Sequence, residues 1–291
     1  MKKIFILLFF FSVFFTTGFS QQPVPDFSSR IDSLKKTGQL ILKGKTDSVR
    51  SQANSIFIVL LMETLALNGA YDISFDSITN VSILSPPDKS FRLFTWVLPG
   101  VDLSSYSYFG FVQQYNRIKK QLKVIPLEEM QADSENIASK KLTSEKWFGS
   151  IYYQILPVKK NGKNYYTLLG WKGNNELTTK KMIDVMYFTE GKPMFGYPIF
   201  KGERGYTNRI IFEFNAEAMM SLRYEASKKM IVFDRLVSSA KESSANSNGP
   251  SGIYDGFKFE KGRWLLMKDI DVRGTWKPKT PVERDEDKEN K

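Results

Sequence analysis

The segment Ile151-Tyr152-Tyr153-Gln154-Ile155-Leu156-Pro157-Val158-Lys159-Lys160-Asn161-Gly162-Lys163-Asn164-Tyr165-Tyr166-Thr167-Leu168-Leu169-Gly170-Trp171 decides the fold. Two runs rich in aliphatic and aromatic residues meet at Asn-Gly, the pair that most readily supplies the two positive φ values of a tight hairpin turn. Residues 151–158 and 164–171 are therefore expected to pair antiparallel. Two more joints repeat the cadence. Ser85-Pro86-Pro87-Asp88-Lys89 separates 81–84 from 91–97, and Glu260-Lys261-Gly262 separates 254–259 from 263–268. Residues 182–188, 209–214, 218–224 and 229–236 are also of strand length. The gaps between them are too short for the helical crossovers that parallel neighbours need, so an antiparallel meander is the economical reading.

Upstream of Tyr71 the periodicity changes. Residues 28–43 read as a helix interrupted by Gly38. A stronger helix follows, capped by Thr46-Asp47, with Val49, Ala53, Ile56, Phe57, Leu60, Leu61, Thr64 and Leu65 at helical spacing and Asn68-Gly69 closing it. This helix is expected to pack on the sheet. The predicted class is α+β, mostly antiparallel β: an N-terminal helical segment on a many-stranded meander, arranged as a sandwich, a rolled sheet or a propeller-like body.

The first twenty residues carry a different instruction. Met1-Lys2-Lys3 precedes a 12-residue apolar run, Ile4 to Phe15, broken only by Ser12, and small residues follow at Gly18 and Ser20. This is the pattern of a secretory signal peptide cleaved before Gln21. A membrane anchor needs about 20 apolar residues, and neither this run nor the later 56–61 stretch reaches that length. Cysteine is absent, which excludes both disulfides and the thioether-linked lipid of a lipoprotein. The expected location is periplasmic or extracellular, with no membrane span after cleavage. The remaining 271 of 291 residues suffice to bury a core unaided.

Subtracting Lys2 and Lys3 from 42 basic residues, against 31 acidic, leaves the mature chain at about +9. That charge favours anionic surfaces or polymers. Residues 21–276 are expected to form one β-rich domain. Within it 128–146 is read as a surface excursion with one helix, and 241–252 as a flexible loop; 277–291 is read as a charged, disordered tail.

The chain has no histidine, which removes Ser-His-Asp and Cys-His catalysis, imidazole bases and His-containing zinc sites. Several motif fragments fail on inspection. Gly38 and Gly44 are spaced by five residues where a P-loop has four, with bulky Leu and Ile between. Ser33-Leu34-Lys35-Lys36 and Lys36-Thr37-Gly38 evoke serine β-lactamases but share Lys36, whereas those motifs come from distant segments. Phe109-Gly110-Phe111-Val112 matches the centre of an RNA-recognition strand with the wrong flanks. Nucleic acid is not an expected partner.

Asp269-Ile270-Asp271 is too sparse for a calcium loop, and no cofactor or metal is expected. Two groups of residues remain. Trp171, beside Lys172-Gly173-Asn174-Asn175, is the first candidate for stacking on a sugar ring or peptide, with Trp96 and Tyr166 as further candidates. Glu213 and Asp234, with Asp255 and Asp269, fall in or near strands. Two such carboxylates are the minimum for a glycan hydrolase, the common hydrolytic mechanism that needs neither His nor Cys. The leading expectation is a non-catalytic, exported binding or structural protein whose partner is a polymer or an envelope protein; a carboxylate-dependent glycan hydrolase is the alternative.

Overall fold

The computed structural model describes residues 26–116, 118, 121–131, 136–238 and 245–272. The expected leader and the 277–291 tail lie outside these residues. The chain is mostly antiparallel β, with two helices near its N-terminus packed on multiple sheets.

Helix α1 (Phe27–Lys43) is capped by Asp26 and runs through Gly38 without the expected interruption. Gly38 is needed there for closeness: a Cβ would fall 2.1 Å from the Asn80 side chain. Helix α2 (Asp47–Ala66) begins as expected, with the Thr46 hydroxyl accepting the Val49 N–H. The apparent P-loop is thus the end of one helix and the cap of the next. Gly69 takes a positive φ beyond the end of α2.

The first sheet is a meander, β1 (Ser82–Leu84), β2 (Phe91–Pro99), β3 (Tyr106–Asn116) and β4 (Gln121–Glu128). Side chains alternate across it. Phe91 and Leu93 of β2 face one cluster; Phe94 and Trp96 face the other, where they meet Leu34, Phe57 and Leu61 of the helices. The second sheet is ordered β5-β9-β8-β7-β6, from β5 (Leu142–Thr143), β6 (Ile151–Lys160), β7 (Lys163–Gly173), β8 (Thr178–Thr189) and β9 (Lys192–Phe195). The Asn161-Gly162 turn joins β6 to β7 in the expected register.

The third sheet starts with β10 (Phe200–Gly202) and β11 (Gly205–Thr207). The chain then returns to the second sheet as β12 (Ile210–Asn215), which pairs with β8, before β13 (Leu222–Glu225), β14 (Met230–Ser238), β15 (Asn248–Glu260) and β16 (Arg263–Met267) complete the third.

Order is therefore helices, first sheet, second sheet, third sheet, with an apolar cluster in each of the three gaps. The second sheet is covered on both faces, which explains why β7 and β8 read as nearly continuous apolar runs rather than clean alternations. Among the described residues no sheet closes into a barrel.

Several expectations need correction. The meander is not single: β10 pairs parallel to β16, Phe200 opposite Trp264, across a long stretch of intervening chain. Strand β13 starts only at Leu222, because the Ser221 N–H donates to the Asp234 carboxylate instead of to its backbone carbonyl, although the Asp234 N–H still reaches the Ser221 carbonyl. The polar stretch read as a loop over 241–252 is strand from Asn248 onward, with Asn248, Gly249 and Pro250 opposite Ser238, Val237 and Leu236. In the 128–146 excursion the described residues form 3₁₀ turns and the short β5, and Leu142 is buried in the core. Among the described residues no helix is long and apolar enough to cross a membrane.

Candidate functional site

A groove of about 300 Å³ opens where β7 ends, β8 begins and the loop after β12 passes, and Tyr106, Trp171, Thr179, Lys181, Met219 and Met220 are among its walls. Its rim is built by a locked turn. The Asn175 side chain accepts the N–H groups of Leu177 and Thr178, each at 2.9 Å. The Asn174 amide donates to the Thr178 hydroxyl at 2.7 Å and to Glu213 at 3.1 Å. The Asn175 side-chain oxygen and the Asn174 side-chain NH2, beside Trp171 in sequence, are thus engaged in holding the turn.

The aromatic wall is also positioned by packing. Tyr106 meets Trp171 edge to face, 5.8 Å between ring centres and 89° between planes. Gly173 permits this: a Cβ would lie 2.8 Å from the Tyr106 ring. Lys172, the expected polar neighbour, turns inward, bonding Glu129 at 2.6 Å and the Phe148 carbonyl at 2.9 Å, with its ammonium 4.4 Å from the Tyr108 ring centre. Lys181 supplies the groove's cation. Its ammonium donates to the Met220 carbonyl at 2.5 Å, and burial pulls its pKa below the ordinary lysine value, against the opposing pull of Asp234. Met219, also in the lining, is 91 % exposed and offers an unbranched apolar side chain.

Of the stacking candidates, only Trp171 lines this groove. Trp96 is 1 % exposed, stacked on Phe109 and donating its indole N–H to Asn54 at 2.8 Å. Tyr166 is 4 % exposed and edge-on to Phe91. Both hold the core because they stand on strands covered by neighbouring layers, a placement that local sequence cannot reveal. Tyr106, Lys181 and Met219 went unmarked as site residues. The Met219-Met220 pair after the polar Asn215-Ala216-Glu217 was the available signal, masked by reading 218–224 as strand.

The carboxylates are tied to donors and cations. Glu213 accepts from Asn174 and Thr178 and lies 3.6 Å from the Lys180 ammonium. Asp234 accepts the Ser221 N–H at 2.6 Å. Glu213 and Asp234 belong to different sheets and, among the described residues, share no hydrogen-bond partner. Asp255 and Asp269 do converge, but on Arg235, whose guanidinium grips Asp255 through both carboxylate oxygens and reaches Asp269 at 2.9 Å. Burial opposes ionisation of Asp255, and the bonds from Arg235 outweigh it, holding its pKa below the ordinary carboxylate value. Among the described residues no group of three or more acidic side chains is arranged to hold a metal ion.

No protein family, curated protein or solved structure matches this chain. The fold and the groove carry the functional argument.

Proposed function

We propose that this chain is an exported, non-catalytic binding protein of the periplasm or extracellular space, and that its Trp171 groove takes up a segment of a polymer or of a partner protein. The observation that supports this reading is the composition of the groove. A half-buried indole, a tyrosine edge, two methionines and one desolvated amine meet there, with no acidic residue among its described lining. Aromatic faces offer stacking area to sugar rings and peptide side chains, and a rigidly held amine adds a directional donor.

Titration of purified mature protein with soluble glycans and peptides, followed by tryptophan fluorescence, is expected to show saturable binding that Trp171→Ala reduces at least tenfold while the unfolding midpoint holds. Saturable binding unaffected by Trp171→Ala would reject the groove. Reproducible release of sugar from a glycan, lost in Glu213→Gln or Asp234→Asn, would replace binding with the carboxylate-dependent hydrolase.

A further inference from the structure

A second cavity, of about 560 Å³, shares no lining residue with the Trp171 groove; Tyr71, Asp72, Ser85, Lys89, Arg92 and Tyr115 form its walls. Arg92 is the unusual member. Only 9 % of it is exposed, yet its hydrogen-bond partners are all neutral: Gln113, and the carbonyls of Ile73 and Ala70. Three aromatic rings, Tyr71, Phe75 and Phe94, lie 5.0 to 5.3 Å from its guanidinium carbon. Among the described residues no carboxylate lies within ion-pairing distance of it.

A guanidinium has five N–H donors. The four bonds to Gln113, Ile73 and Ala70 occupy Nε, both hydrogens of Nη2 and one of Nη1, which leaves one Nη1 hydrogen and the whole positive charge. Turn-stapling accounts for the four bonds: Arg92 and Gln113 together gather the carbonyls of Ala70, Ile73 and Leu65 beyond and within the last turn of α2. It does not account for a buried cation with no carboxylate in direct contact, a costly arrangement that the exposed Asp72 offsets only through space. The desolvation is felt, since burial lowers the Arg92 pKa to about 10 against the opposing pull of Tyr71 and Asp72.

The neighbours supply the rest of a site. Lys89 adds a second cation and Ser85 a hydroxyl, and the Tyr71 and Tyr115 rings lie 5.6 Å apart with their planes tilted by 30°, a flat apolar wall. Asp72 is the one acidic lining residue, and it is exposed, so water screens it more than the buried guanidinium. A volume of this size suits a small molecule.

We propose that this cavity binds a small carboxylate carried on a flat ring, the carboxylate meeting Arg92 and Lys89 and the ring lying along Tyr71 and Tyr115. The site is independent of the Trp171 groove, so either can fail without the other. Calorimetric titration of the full mature chain with benzoate, its neutral isostere benzamide and inorganic phosphate tests it. Expected are saturable benzoate binding at least tenfold tighter than benzamide or phosphate, weakened at least fivefold in both Lys89→Ala and Tyr115→Ala, and tightened severalfold in Asp72→Asn. These three positions leave the Arg92 staple intact, and circular dichroism checks each fold. Absence of benzoate binding, benzamide or phosphate binding as tightly as benzoate, or indifference to the three substitutions would overturn the proposal.

Discussion

Asp184 and Arg209 show how much can rest on one residue. Both are wholly buried between the second sheet and the 137–140 strap, with Nε 3.3 Å from Oδ2. Arg209 also donates to the carbonyls of Ile137 and Lys140, while its Nε and Nη2 lack hydrogen-bond partners. A pair so incompletely satisfied contributes little net stability while intact, and breaking it strands a charge. Asp184→Asn is therefore expected to cost about 3–5 kcal/mol in urea unfolding, and the double change Asp184→Leu with Arg209→Met to recover most of that loss. At the surface, Thr46→Ala removes the hydroxyl that caps α2 and should cost about 1 kcal/mol. Asp255 predicts acid behaviour. Its folded pKa is lowered, so the stability it lends is in place above the ordinary value of 3.8 and disappears as pH falls below that. Urea midpoints measured down an acid series should converge for wild type and Asp255→Asn at the acid end and separate towards neutrality. None of these burials is legible locally, because Asp184 sits in a strand pattern indistinguishable from that of a solvent-facing acid.

Turns were the most legible elements, because their chemistry is contained in two residues. Asn161 and Gly162 take φ of 49° and 74°, and Lys261 and Gly262 repeat those values. Nothing lies within 4 Å of a Cβ at Gly162, so Gly162→Ala meets only the backbone penalty of a left-handed residue. It is expected to cost about 1–2 kcal/mol with an unchanged native spectrum. Gly110→Ala makes the contrast: its φ is ordinary, but its Cβ would fall 2.8 Å from the Phe94 carbonyl oxygen, so the first sheet must shift and the loss should be larger. Thermal melts of the two variants decide the order. Glu190-Gly191 forms a turn of the same kind between β8 and β9, with φ of 52° and 73°. It was harder to read because β9 is four residues long and contains Pro193, which weakens any strand pattern. The parallel pairing of β10 with β16 was out of reach for a different reason: register between distant segments is set by the layers that enclose them.

Those layers make a prediction about the whole molecule. Strands were legible as strands, but their stacking was not, since apolar runs look alike whether they face helices or another sheet. The first sheet is the thin point of the stack. Its Phe94, Trp96 and Phe111 have the helical hairpin as their cover, with Phe57, Leu61 and Leu65 pressed against them. The second and third sheets are instead bound to each other through a shared cluster and through polar ties such as the Trp264 indole N–H to the Thr167 hydroxyl at 2.9 Å. A chain starting at Ala70 would expose the first sheet's apolar face while leaving the third sheet's contacts untouched. Exposed apolar area on that scale drives association. Such a chain is expected to self-associate in light scattering and to bind a hydrophobic dye, whereas Trp264→Ala in the full chain should stay monomeric while losing about 3–5 kcal/mol of stability. A monomeric, dye-silent product lacking the hairpin would show that the helices are an appendage and not one wall of the core.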